Sequence, residues 1–299
     1  VDESLTPVSV DQLLIGGNGL TAFAGVNGGS TAALGLSLTG VNFALALNSE
    51  VITDQQRTSG KLAREWTTLQ ASTATAQLVG VADITAKIDT LTVEVNRAAA
   101  TDHSVVDYRA GKTNLVVTTG PATTFAMNLD GRLGELTRAS GNVTLNVAGF
   151  MAMHGALSFE KNTQTVKLND AVDTKPSTQV SVDVLSIGGS NLDAFAGLGG
   201  GYGNDGKLLD GAKGLSLTGV EFGVAMMGER LTPDQITAKA TPRSWTAMQA
   251  TAGNVSVVGL PDITLSADTI KVEVNRASTD GKLVDFAGQN VSISTGTSA

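Results

Sequence analysis

Side chains able to move protons near neutral pH are scarce in this chain. There are two histidines, His103 and His154, and no cysteine. A hydrolytic triad needs an imidazole between a nucleophile and a carboxylate. Neither histidine has a counterpart at the matching place of the repeat described below, and a repeated catalytic unit should repeat its base. The absence of cysteine excludes disulfides, thiol nucleophiles and Cys-ligated zinc. Carboxylates are better supplied. Asp83 and Asp262, Asp107 and Asp285, and Glu94 and Glu273 occupy matching words of sequence, and paired carboxylates are the apparatus of glycoside hydrolysis. Asp262 follows Pro261, and Asp285 precedes Phe286-Ala287-Gly288, so both read as turn or edge residues. The glycine-rich stretches Gly16-Gly17-Asn18-Gly19 and Gly199–Gly203 carry no Gly-Lys-Ser/Thr, so they are loops and not phosphate cradles. One polar loop, Asn204-Asp205-Gly206-Lys207-Leu208-Leu209-Asp210-Gly211, has oxygen donors and the glycines a tight turn needs. Calcium takes about six to eight oxygens, and Asn204, Asp205 and Asp210 would supply part of that set. The EF-hand spacing is absent, and an Asp/Gly turn is the alternative. Calcium is the one cofactor suggested, and none is required.

The elements that position these residues come in two copies. The hexapeptide Val-Glu-Val-Asn-Arg-Ala occurs at Val93–Ala98 and at Val272–Ala277. Val8–Asp11 recurs at Val180–Asp183, Ile15-Gly16-Gly17 at Ile187-Gly188-Gly189, and Ala22–Gly25 at Ala194–Gly197. Gly35–Val41 recurs at Gly214–Val220 and Trp66-Thr67 at Trp245-Thr246, both 179 residues on. Val106-Asp107-Tyr108 matches Val284-Asp285-Phe286, and Asn114 matches Asn290. A fainter echo links Gly141–Leu145 with Gly253–Val257, and Leu157–Asn162 with Ile270–Asn275. The chain thus divides into a complete first unit, residues 1–179, and a truncated second, residues 180–299, without a counterpart of Pro121–Gln179. Such a chain reads as a piece of a longer tandem array.

Within each unit the pattern has period two. Val255 and Val257, then Ile263 and Leu265, then Ile270, Val272 and Val274 alternate with polar residues, the signature of half-buried strands. The apolar runs start about eight residues apart, which predicts short solenoid sides or a meander of short strands. In the hexapeptide, Val272 and Val274 are expected inward and Glu273 and Asn275 outward. Thr232-Pro233-Asp234-Gln235-Ile236 and Thr53-Asp54-Gln55-Gln56 predict one helical turn per copy, capped by threonine. Trp66 and Trp245 are expected in the core.

Aromatic residues make up 4% of the chain and charged residues 16%, so the core is built from Val, Leu, Ile and Ala, in thin layers. The net charge of −8 and the lack of a Lys/Arg cluster argue against nucleic acid as a partner. No run approaches the roughly 18 apolar residues of a membrane-spanning helix.

Together, Ile-Gly-Gly…Phe-Ala-Gly, Gly-Leu-Ser-Leu-Thr-Gly-Val, the Trp-Thr segment and the repeated hexapeptide resemble the tandem repeats of very large secreted bacterial surface proteins, adhesins among them. The resemblance implies an extracellular, elongated, non-catalytic module. The expected fold is all-β, an elongated β-solenoid or stacked β-layer; the alternative is two β-sandwich-like domains joined near Lys175–Thr178. The expected function is structural or adhesive, through stacking and self-association, with an open edge at Ser298-Ala299 completed by another chain. A second function is binding to a glycan or another surface through a row of Thr264, Ser266 and Thr269. A third, weaker, is a β-helical polysaccharide-degrading enzyme.

Overall fold

The structure is a computed structural model that describes residues 7–170, 173–287 and 291–296. Asn290 and Ser298-Ala299 therefore lie outside the described residues. Strand accounts for 62% of the described residues and helix for 5%, so the all-β expectation holds. The strands are β1 (Val10–Val26), β2 (Leu34–Glu50), β3 (Glu65–Val79), β4 (Ile84–Arg97), β5 (Leu115–Gly120), β6 (Thr123–Met127), β7 (Leu136–Val147), β8 (Met151–Asp170), β9 (Asp173–Leu198), β10 (Lys213–Glu229), β11 (Ser244–Val258), β12 (Ser266–Arg276) and β13 (Lys282–Val284). They form a large antiparallel sheet in the order β1-β2-β3-β4-β7-β8-β9-β10-β11-β12, with β13 on β8 and a separate β5-β6 hairpin. Among the described residues no helix is long and apolar enough to cross a membrane.

The main strands are far longer than the spacing of the apolar runs predicts. β9 runs for 26 residues, through the Lys175–Thr178 stretch expected to join two domains, and β2 and β10 for 17 each. Gly16-Gly17-Asn18-Gly19, expected as a loop, lies inside β1, and other glycines mark irregularities inside continuing strands. Gly40 and Gly219, at equivalent places in β2 and β10, have φ of 66° and 61°. The β10–β9 register shifts between Leu217 and Val220, around Gly219. A left-handed residue inside a ladder is the mark of a bulge, which bends a strand without ending it. Thr269 is likewise left-handed, with φ 58°, and Thr264 lies before β12. The proposed Thr264, Ser266 and Thr269 row is therefore not a regular extended ladder.

The chain folds into two compact units. The first gathers residues up to Ala22, Leu38–Thr75 and Thr90–Ala139; the second gathers Phe23–Ser37, Ala76–Asp89 and Ser140 onward. The core of the first is Ala44, Ala46, Tyr108, Val117, Met127, Leu129 and Leu136. That of the second includes Val166, Leu168, Val182, Val184, Ala225, Met227 and Trp245. Both tryptophans are buried, as expected.

Of the hexapeptide faces, Glu273 and Asn275 are exposed as expected, while the inward placing of Val272 and Val274 is not met. In the first copy Asn96 is 1% exposed, and its side-chain amide donates to the Val106 carbonyl at 2.9 Å. In the second, Asn275 makes the same bond to Val284, also at 2.9 Å. The asparagine thus fastens the following segment to the strand, a role alternation alone cannot reveal. Val272 and Val274 are exposed, and among the described residues β12 ends the strand order.

Candidate functional site

A polar clamp occurs twice among the described residues. It begins where β2 and β10 end, at Glu50 and Glu229. Each strand is followed by the expected helical turn, α1 (Asp54–Thr58) or α2 (Pro233–Thr237), closed by a capping box. The Gln56 amide donates to Thr53 Oγ1 at 3.2 Å and the Thr53 amide to Gln56 Oε1 at 2.8 Å. Thr232 and Gln235 repeat this at 3.3 and 2.8 Å. These reciprocal bonds satisfy amides that a helix start leaves open. They also turn the chain so that the next strand enters beside the last. The Glu50 amide donates to the Arg64 carbonyl at 2.8 Å, and that of Glu229 to Arg243 at 2.9 Å.

Each arginine then grips the glutamate across the turn. Arg64 Nε donates to Glu50 Oε2 at 2.9 Å, and Arg243 Nε to Glu229 Oε2 at 2.8 Å. A second arm reaches an aspartate, Asp102 at 2.9 Å or Asp280 at 3.2 Å. The guanidinium lies over an indole, 5.2 Å from the Trp66 ring centroid and 5.3 Å from that of Trp245. Planar guanidinium suits this combination of forked hydrogen bonding and stacking. Each indole donates through Nε1 to a backbone carbonyl, that of Ser104 or Lys282, at 3.0 Å. The clamp thus ties a strand end, a strand start and the loop after the hexapeptide into one knot.

The ionisation follows from these contacts. Arg64 first, and then Lys61, holds the Glu50 carboxyl down at about 2, from an ordinary 4.5. Arg243 lowers that of Glu229. Lys61 Nζ lies 2.6 Å from Glu50, and alanine replaces it at Ala240 in the second copy. A carboxylate held this low is ionised at neutral pH and has no proton to give, and arginine cannot act as a base. The arrangement locks charges together and offers no acid–base pair.

The carboxylates singled out in the sequence serve their own turns and strands. Asp107 accepts from the Arg109 side chain and from the amides of Arg109 and Gly131, and Arg109 holds its carboxyl at about 2. Asp285 accepts the Ala287 amide at 2.9 Å. Asp83 has φ 58°, and Asp262 lies in a turn. Glu94 meets Gln70 and Arg138, each at 3.3 Å, whereas Glu273 meets Lys271 at 2.8 Å. His103 has φ 58° in a tight turn where the second copy has Gly281 at 81°. His154 Nδ1 lies 2.9 Å from Thr144 Oγ1. The Asn204–Asp210 loop is a small hairpin bridged between Tyr202 and Leu208. Asp205 accepts the Lys207 amide at 3.2 Å, and Asn204, Asp205 and Asp210 are exposed. Among the described residues there is no group of three or more His, Cys, Asp or Glu placed to hold a metal ion.

Sequence reasoning missed Glu50, Arg64 and Asp102 with their partners Glu229, Arg243 and Asp280. The signal was present: Glu50, Arg64 and Trp66 all recur 179 residues on, the offset of the hexapeptide.

No family model, curated protein or solved structure matches the chain.

Proposed function

We propose that this chain is a non-catalytic structural or adhesive module of a secreted bacterial surface protein or extracellular fibre, acting by repeat stacking and self-association. The observation that carries this is the duplicated clamp. Both copies preserve the residues that tie strands together, while the two histidines and the asparagine-aspartate loop are not duplicated. Selection for a shared mechanical part accounts for that pattern; selection for a shared reaction does not. The finer architecture of this reading is stacked β-layers, each burying small aliphatic side chains against the next. Burial of about 25 cal/mol per Å² lets many such side chains replace a few aromatics. Calcium, if it acts, does so at the Asn204–Asp210 hairpin as an assembly factor.

Sedimentation velocity over a wide range of protein concentration, with calcium and with chelator, tests the reading. Growth of the sedimenting species with concentration is expected. A single species unchanged over the whole range would overturn self-association and favour the glycan- or surface-binding function.

A further inference from the structure

Five hairpin connections stand side by side at one end of the sheet, all within the second compact unit. They follow β1, β3, β7, β9 and β11. A Cβ on Gly80 would stand 2.1 Å from the Ala33 carbonyl oxygen, which sets the second turn against the first. The Ala148 amide donates to the Asp83 carbonyl at 2.6 Å and the Gly200 amide to the Gly149 carbonyl at 3.0 Å. These bonds join the second turn to the third and the third to the fourth. A Cβ on Gly259 would likewise stand 2.1 Å from the Ala212 carbonyl oxygen, which adds the fifth.

This rim is apolar and open. Its middle turn carries Phe150 and Met151, 56% and 63% exposed. Leu198 and Leu209 on the fourth turn, Val26 and Leu34 on the first, and Leu260 and Ile263 on the fifth are exposed too. The repeat keeps apolar residues at matching rim positions: Val26 with Leu198, Val81 with Leu260, and Ile84 with Ile263. The middle turn has described strands on both sides, so its openness belongs to the fold. Where the chain continues past β4, the new turn joins the row from the side and leaves Ile84 exposed. Such a turn lengthens the rim without covering it.

The charges distinguish between occupants. The first turn and the middle turn carry none, and Asp83 lies on the second. Lys207 and Lys213 lie on the fourth with Asp210 and with Asp205, which accepts the Lys207 amide. Asp262 lies on the fifth. A lipid surface would have to strip water from these carboxylates. A second copy, turned about a two-fold axis through the middle turn, avoids that cost and overlaps all five turns. The uncharged middle turn then faces itself, Asp83 faces Lys207 and Lys213, and Asp262 faces the uncharged first turn. Such self-complementarity is what an isologous pair requires, and aromatic and methionine side chains suit its centre.

We propose that this rim is the surface through which two copies of the chain pair, centred on Phe150 and Met151. At ~4.8 Å per strand the five turns span roughly 40 Å. One sheet thick, the contact falls at the small end of protein interfaces, below about 1,200 Å² in total, so the pairing is weak and exchangeable. This deepens the self-association reading above and rests on it, by naming the surface used.

The chain has no cysteine, so Met151→Cys places a single thiol at the axis. Under mild oxidation the intact variant should form a disulfide-linked dimer much faster than Ile236→Cys. Ile236 is equally open, at 63%, but lies on α2 at the opposite end of β10. In sedimentation velocity Phe150→Ser should weaken self-association about tenfold. Lys207→Glu with Lys213→Glu should weaken it similarly. Asp83→Asn, which suits the φ of 58° there, should recover it in that background. Equal oxidation of the two thiols, or association indifferent to Phe150→Ser and to the lysine changes, overturns the proposal and leaves self-association standing. No association of the native chain at any concentration removes both readings. Binding to phosphatidylcholine vesicles that Phe150→Ser abolishes, with no dimer formed, overturns the proposal and assigns the rim to lipid.

Discussion

Glu50 and Glu229 are each gripped by an arginine fourteen residues further on. Because the folded Glu50 value is about 2 against an ordinary 4.5, the unfolded state binds the proton more readily. Its contribution to stability is therefore complete above 4.5 and is lost as pH falls towards 2. Asp107 acts in the same direction, at about 2 against 3.8. The denaturation midpoint should hold steady from neutral pH to about 4.5 and fall steeply below it. Glu50→Gln should lower the neutral plateau and flatten the acid limb, both visible in urea titrations across pH. Asn96 offers a second residue-scale test. It is nearly fully buried and holds the Val106 carbonyl, so Asn96→Ala leaves that acceptor unpaired. A loss of about 1–3 kcal/mol is expected from urea unfolding. Elsewhere the second copy changes both partners of a bond together. Asn48 Nδ2 donates to the Tyr108 hydroxyl at 3.1 Å, and the equivalent positions hold Met227 and Phe286. Replacing both polar partners by apolar ones avoids an orphan donor.

At the scale of elements, the Ile-Gly-Gly words explain themselves through close approach. A Cβ on Gly16 would stand 2.6 Å from the Thr118 carbonyl oxygen, and on Gly188 2.2 Å from that of Ser294. Each glycine lets the later segment lie directly on the strand. Gly228, also within a strand, has nothing within 4 Å of its Cβ position. Gly188→Ala should therefore cost about 1–3 kcal/mol, while Gly228→Ala leaves the thermal midpoint unchanged or slightly raised. The capping box gives a smaller effect: Thr232→Ala should cost about 1 kcal/mol. These elements also show how far the sequence could be read. Threonine caps, buried tryptophans and all-β character follow from local rules of composition, capping and period. Strand length does not, because Gly16-Gly17-Asn18-Gly19 looks like a loop and yet lies inside β1, and Gly219 sits at a register shift through which β10 continues. The facing of Asn96 was hidden for a different reason. Alternation reports hydrophobicity and cannot foresee an amide that reaches a neighbouring carbonyl. The clamp was legible only in comparison, by lining up charged residues at the repeat offset.

For the whole molecule, the two copies differ most where one has a neighbour and the other has an edge. Among the described residues, β4 lies between β3 and β7 in the strand order, while β12 ends it. Exposed Ile270, Val272 and Val274 on that edge form the kind of template that natural proteins cover, charge or use for assembly. Lys271 and Glu273 are the charges that guard it. Use for assembly is the central claim, and electron microscopy of the purified chain, with calcium and after chelation, tests it most directly. End-to-end assemblies whose number rises with protein concentration are the predicted result. Uniform single particles at every concentration, with calcium and without, would contradict it.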